Sequence, residues 1–168
     1  MKKKGLAFCC ATVLMFCQCF VPSVGAITDE QGAAIKDHCE TIRENLKRVQ
    51  KEDSRVRVYL GGYYETILSK FIVPLNVRLV ENNLSSAGLV ENQNKFAAVK
   101  ADFADDFVKY QKELEELVGM DCKEKPANFY DKLTAVRQRR QVMVKDVQRM
   151  RSLISGHVQL VESLKGEL

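Results

Sequence analysis

The stretch from Phe129 to Leu168 limits the fold more than any other part of the chain. Alternate steps of four and three residues give Phe129, Leu133, Val136, Arg140, Met143, Val147, Met150, Ile154, His157, Val161, Leu164 and Leu168. This is an apolar seam with two polar members and no proline, running about eleven helical turns. A single helix cannot bury such a seam against itself, so at least one partner helix is required. Two candidates lie upstream.

The first begins at Thr28-Asp29-Glu30-Gln31, which reads as a capping box in which the Thr28 oxygen and the Gln31 amide satisfy orphan backbone donors. Its seam is Ile35, Cys39, Ile42, Leu46, Val49, Asp53, Val56, Leu60, Tyr63, Ile67, Phe71 and Leu75, close to a seven-residue repeat with Asp53 as the charged intruder. Gly61-Gly62 weakens the helix, since each interior glycine costs about 1 kcal/mol relative to alanine. The seam keeps its phase across the pair, so a continuous helix with a soft spot is expected; a close helix approach or a hinge at the glycines is the alternative. Pro74 should kink the helix, because its ring clashes with the carbonyl of Lys70. The helix is expected over about 29–82.

Asn82 to Gly88 (NNLSSAG) is the strongest turn signal. Beyond it, Phe96, Val99, Phe103, Phe107, Tyr110, Leu114 and Leu117 mark a second helix, expected over about 91–118 and stopped by Gly119. Pro126 suits the first turn of the third helix, expected over about 126–166. No alternating runs bounded by turn dipeptides are present, so no sheet is expected. The fold class is all-α: an elongated antiparallel three-helix bundle or coiled-coil-like hairpin, in one domain over 27–168.

Met1 to Ala26 carries the three parts of a secretory signal: the lysines at 2, 3 and 4, an apolar run from Leu6 to Phe20, and a small-residue cleavage site at Val24-Gly25-Ala26. Export with cleavage is expected; an uncleaved anchor is the alternative, and the membrane would then be met only through this segment. Removing three of the 26 basic residues leaves 23 against 22 acidic ones, so the full-chain charge of +4 falls to near +1. A nucleic-acid partner inferred from net charge is thereby excluded.

Cleavage also removes four of the six cysteines and leaves Cys39 and Cys122. In an oxidising compartment an even pair is most simply a disulfide, with a free pair or an interchain bond as alternatives. Closing a loop of roughly 84 residues would constrain the unfolded chain by about 4–5 kcal/mol on the chain-entropy model. Helices running up, down and up place both cysteines at one end. Folding the first helix back at Gly61-Gly62 would separate them. Lengths provide a check: at 1.5 Å per residue Cys39 to Asn82 spans about 64 Å and Glu91 to Cys122 about 46 Å, leaving nearly 20 Å to be absorbed at Pro74 or near 84–90. Zinc is not expected, because His38, Cys39 and one distant cysteine have no ligand spacing.

The second helix is acidic (Asp102, Asp105, Asp106, Glu113, Glu115, Glu116, Asp121) and the third basic (Lys132, Arg137, Arg139, Arg140, Lys145, Arg149, Arg151). An antiparallel fold about 122–126 pairs residues whose numbers sum to roughly 247. Asp106 should then approach Arg140, and Asp102 should approach Lys145. Arg137, Arg139, Arg140, Lys145, Arg149 and Arg151 form a possible surface-interaction patch for phosphate, anionic lipid or a polyanionic envelope polymer. The acidic helix competes for them. Asp105-Asp106 point about 100° apart on a helix and lack an acid or base partner, which disfavours catalysis. His157, Arg140 and Asp53 are best read as polar notches that fix register. Tyr59, Tyr63 and Tyr64 offer an aromatic patch. No phosphate loop, nucleophile triad or cofactor motif is visible, so no catalytic, cofactor or metal residue is assigned.

The blocks Tyr63 to Asn83 (YYETILSKFIVPLNVRLVENN) and Phe129 to Arg140 (FYDKLTAVRQRR), with Asp121-Cys122 ahead of the second, resemble small exported helix-rich proteins of unassigned function from ultrasmall candidate-phyla bacteria. The resemblance implies an extracytoplasmic location and carries no functional residue. The expected role is a non-enzymatic envelope structural or protein-interaction module. The alternative is an extracytoplasmic holdase-type chaperone, disfavoured by the lack of strands for an oligomeric core.

Overall fold

The structure, a computed structural model, describes residues 27–84 and 87–165. The expected signal segment Met1–Ala26, Ser85-Ser86 of the turn, and Leu168 of the seam lie outside the described residues. All regular structure among the described residues is helical: α1 (Asp29–Asp37), α2 (Cys39–Thr66), a π-helical segment (Ile67–Ile72), α3 (Val73–Glu81), α4 (Ala87–Gly119) and α5 (Pro126–Lys165).

The capping box forms as the residue types dictate: the Gln31 N–H donates to Thr28 Oγ1 at 3.2 Å and the Thr28 N–H donates to Gln31 Oε1 at 3.1 Å. The helix it starts is not continuous. At His38 the backbone turns to φ −103°, ψ 13°, which separates α1 from α2. Gly61-Gly62 leaves α2 unbroken, and among the described residues no neighbouring atom lies within 4 Å of where a Cβ would sit on either glycine. The alternative of a close helix approach there is thereby excluded.

Pro74 acts differently from a simple kink. Without an N–H to offer Lys70, and with a ring that would strike its carbonyl, it is preceded by a widened turn in which the Val73 N–H reaches back to the Leu68 carbonyl. The buried face departs from the expected seam from Tyr64 onward. Tyr64, Ile72 and Asn76 are buried, whereas Tyr63 and Phe71 of the expected seam are exposed and Leu75 is only half-buried. The seam therefore does not keep its phase, contrary to the reading of the repeat.

Helix α3 ends with Asn83 in the left-handed region at φ 58°. The Leu84 N–H donates to the Leu79 carbonyl at 2.8 Å and the Asn83 N–H to the Val80 carbonyl at 3.0 Å, the paired bonds of a Schellman end. Helix α4 begins at Ala87 rather than near Glu91. The earlier start removes part of the expected length shortfall.

In the pairs that join α2–α3 to α4, residue numbers ascend along the first as they descend along the second. Cys39 is joined to Cys122 by a disulfide with Cα atoms 5.7 Å apart. Tyr110 meets Asp53, Gln111 meets Ser54, Lys100 meets Glu65, and the buried Asn76 amide donates to the Leu89 carbonyl and to Gln93 Oε1 at 3.2 and 2.8 Å. The same opposition holds between α4 and α5, where Glu116 pairs with Lys132, Glu113 with Arg139 and Asp102 with Arg149. The core lies mainly between α4 and α5: Phe96, Phe103, Phe107, Tyr110, Leu114 and Leu117 face Phe129, Val136, Met143 and Met150. Helix α2 is thinly packed, with only Cys39 and Tyr64 buried.

The individual ion pairs differ from those expected. Arg140 turns to Asp53 on α2, and Asp106 instead approaches its neighbour Arg139 at 4.0 Å. Asp102 meets Arg149 at 3.8 Å rather than Lys145. A helix sends adjacent side chains about 100° apart, so one position decides whether an arginine faces α2 or α4.

Candidate functional site

Asp53, Tyr110 and Arg140 come from three different helices and meet at one point. Arg140 donates from Nε to Asp53 Oδ2 and from Nη2 to Oδ1, each at 2.9 Å, and the Tyr110 hydroxyl donates to Oδ2 at 2.6 Å. Burial pushes the Asp53 carboxyl up, but the hydrogen bonds from Arg140 and Tyr110 and the guanidinium charge outweigh it and hold it below the ordinary carboxylate value. Burial, with the Asp53 carboxylate beside it, holds the Tyr110 phenol well above its ordinary range. Both shifts move these groups away from proton exchange near neutral pH.

Immediately beside this triad a cleft of about 320 Å³ opens between α2 and α5 over α4. Leu60, Phe103, Phe107, Met143 and Val147 supply apolar surface, and Val56 and Val144 stand at 51% and 49% exposure. Three guanidiniums, Arg57, Arg140 and Arg151, line it against one carboxylate, Asp53. Arg57 lies over the Phe107 ring, 5.2 Å from its centroid.

The six basic residues singled out from the sequence are distributed rather than gathered. Arg139 is held by Glu113 and Asp106, Arg140 by Asp53, and Arg149 by Asp102 and Asp146. Lys145 and Arg149 line a shallow hollow with Lys95, Arg151 lines the α2–α5 cleft, and Arg137 is exposed. The tyrosines divide likewise. Tyr64 is buried edge-on to Phe96, whereas Tyr59 and Tyr63 are exposed with rings stacked 6.4 Å apart.

Asp146 and His157 are buried polar groups on α5. Asp146 accepts from Arg149 at 3.3 Å through Oδ1, while Oδ2 has no donor among the described residues. Burial first, then repulsion from Asp106, raises its carboxyl above the ordinary value against the pull of Arg149. His157 sits on the seam as a notch, neither ring nitrogen has a partner among the described residues, and burial lowers its tendency to protonate. Asp146 was not among the sequence candidates, because it lies one step off the seam and carries no motif.

Among the described residues no group of three or more His, Cys, Asp or Glu side chains could hold a metal ion, and no helix is long and apolar enough to cross a membrane. No family model, no curated protein and no solved structure matches the chain.

Proposed function

We propose that the chain is an exported, non-enzymatic interaction module, an elongated antiparallel three-helix bundle with coiled-coil-like packing of α4 on α5. In this reading Met1–Ala26 is a cleaved signal, and the mature part works in an extracytoplasmic or envelope setting. The observation that carries it is the row Val49, Val56, Tyr59, Tyr63 and Phe71 on α2 and the turn after it, exposed between 36% and 71%. Exposed apolar side chains repeated along one helix among charged neighbours offer a face for a partner. The Cys39–Cys122 disulfide is compatible with an oxidising compartment. The partner is a protein or an envelope polymer.

The same exposed row also favours a second reading, a holdase-type chaperone that shields unfolded clients. Light scattering after gel filtration, paired with an aggregation assay on a chemically denatured client, separates the two. A monodisperse rod that leaves client aggregation unchanged supports the structural module; an oligomer that suppresses it supports the chaperone. Turnover on a peptide or glycan panel that disappears with Asp105→Ala would contradict both.

A further inference from the structure

We propose that the α2–α5 cleft is a binding site for a small amphipathic anion, an acyl chain ending in one carboxylate, with the chain on the apolar floor and the carboxylate held by Arg57 and Arg151. This inference does not depend on the export or partner reading.

The cleft volume of about 320 Å³ lies at the lower end of the range of small-molecule pockets. That is room for a single chain. A helix about 10 Å across would not enter it. The floor offers Phe103, Phe107 and Met143, and the half-exposed Val56 and Val144 on opposite walls would lose water on closing over an alkyl chain.

Charge selects the head group. Among the described residues Asp53 is the one carboxylate lining the cleft, and it already accepts hydrogen bonds from Arg140 and Tyr110. Among the described residues Arg57 and Arg151 have no ion-pair partner, so the cleft retains uncompensated positive charge beside its apolar floor. Guanidinium accepts a carboxylate in a two-pronged geometry that a hydroxyl or an ammonium head cannot reproduce. The cleft lies midway along α2 and α5 rather than at a helix end, which suits a free acyl anion better than a bilayer surface.

Isothermal titration of the oxidised protein with dodecanoate, kept below its micelle concentration, tests the assignment. The expected result is saturable binding of one ligand per chain, with little heat from dodecanol or dodecyltrimethylammonium. Arg57→Gln and Arg151→Gln should each weaken dodecanoate binding about tenfold. Val144→Asp, a substitution at a half-exposed wall position, should abolish it while circular dichroism shows the fold retained. The proposal is overturned by any of three results: no saturable dodecanoate binding, equal binding of the cationic detergent, or binding indifferent to all three variants. Association with phosphatidylglycerol vesicles but not with free dodecanoate would also overturn it.

Discussion

Arg140 and Asp53, 87 positions apart, meet through two hydrogen bonds of 2.9 Å and thereby fasten α5 to α2. Each is the one charged member of its seam. Their pairing, completed by the Tyr110 hydroxyl from α4, explains how both helices tolerate the intrusion. Arg140 is about half exposed, so the pair belongs nearer the surface regime of about 1 kcal/mol than the buried one.

Removing the Tyr110 hydroxyl with Tyr110→Phe should destabilise the fold by about 1 kcal/mol at pH 7. Arg140→Gln should do at least as much, because it leaves a partly buried carboxylate without its cation. The Asp53 carboxyl is depressed in the folded state, so its contribution is fully present above the unfolded value of about 3.9 and is lost as pH falls through the lower folded value. Urea titrations of wild type and Arg140→Gln at pH 7 and at pH 2–3 should show the gap narrowing in acid. A gap equal at both pH values would contradict the triad.

Gly61→Ala and Gly62→Ala should each raise stability, by about 0.5–1 kcal/mol, since both positions are helical with no neighbour within 4 Å of a new Cβ. Thermal melts report the outcome. A loss of stability would restore the close-approach reading that the geometry excludes.

Asp146→Asn should stabilise the protein at pH 7, because burial and Asp106 disfavour the ionised carboxylate more than Arg149 supports it. The raised folded value means that wild type gains stability from protonation below about 3.9, and that this gain is lost as pH rises through the folded value. The advantage of the variant should therefore be greatest near neutrality and vanish in acid. Melting temperatures across pH 3–7 check it; an advantage that persists at pH 3 would assign the effect to packing instead.

The helical class and the α5 seam were legible because a seven-residue spacing buries the same face repeatedly: Phe129, Val136, Met143, Met150 and His157 are all buried. The first helix's seam was legible at Ile35 and Cys39, which are buried, and at Ile42, Leu46, Leu60 and Ile67, which pack against the core, but not at Val49, Val56, Tyr63 and Phe71, which are exposed. Beyond that, a heptad presumes a uniform helix, and the widened turn before Pro74 shifts the buried set to Ile72 and Asn76. The break at His38 carried no proline or glycine to announce it. Asp53 and Arg140 were visible as charged seam members and Arg57 was not singled out; the cleft they line depends on how far α2 stands from α5, and spacing within one helix does not encode that distance.

The joining of Cys39 to Cys122 holds the start of α2 against the link after α4. Peptide mapping by mass spectrometry of the protein digested without reductant tests this most directly. The account predicts one peptide pair, containing Cys39 and Cys122 from the same chain, in a monomer lighter by two hydrogen atoms than its reduced form. Both thiols free in protein recovered from an oxidising compartment, or a covalent dimer linking the two sites between chains, would contradict it.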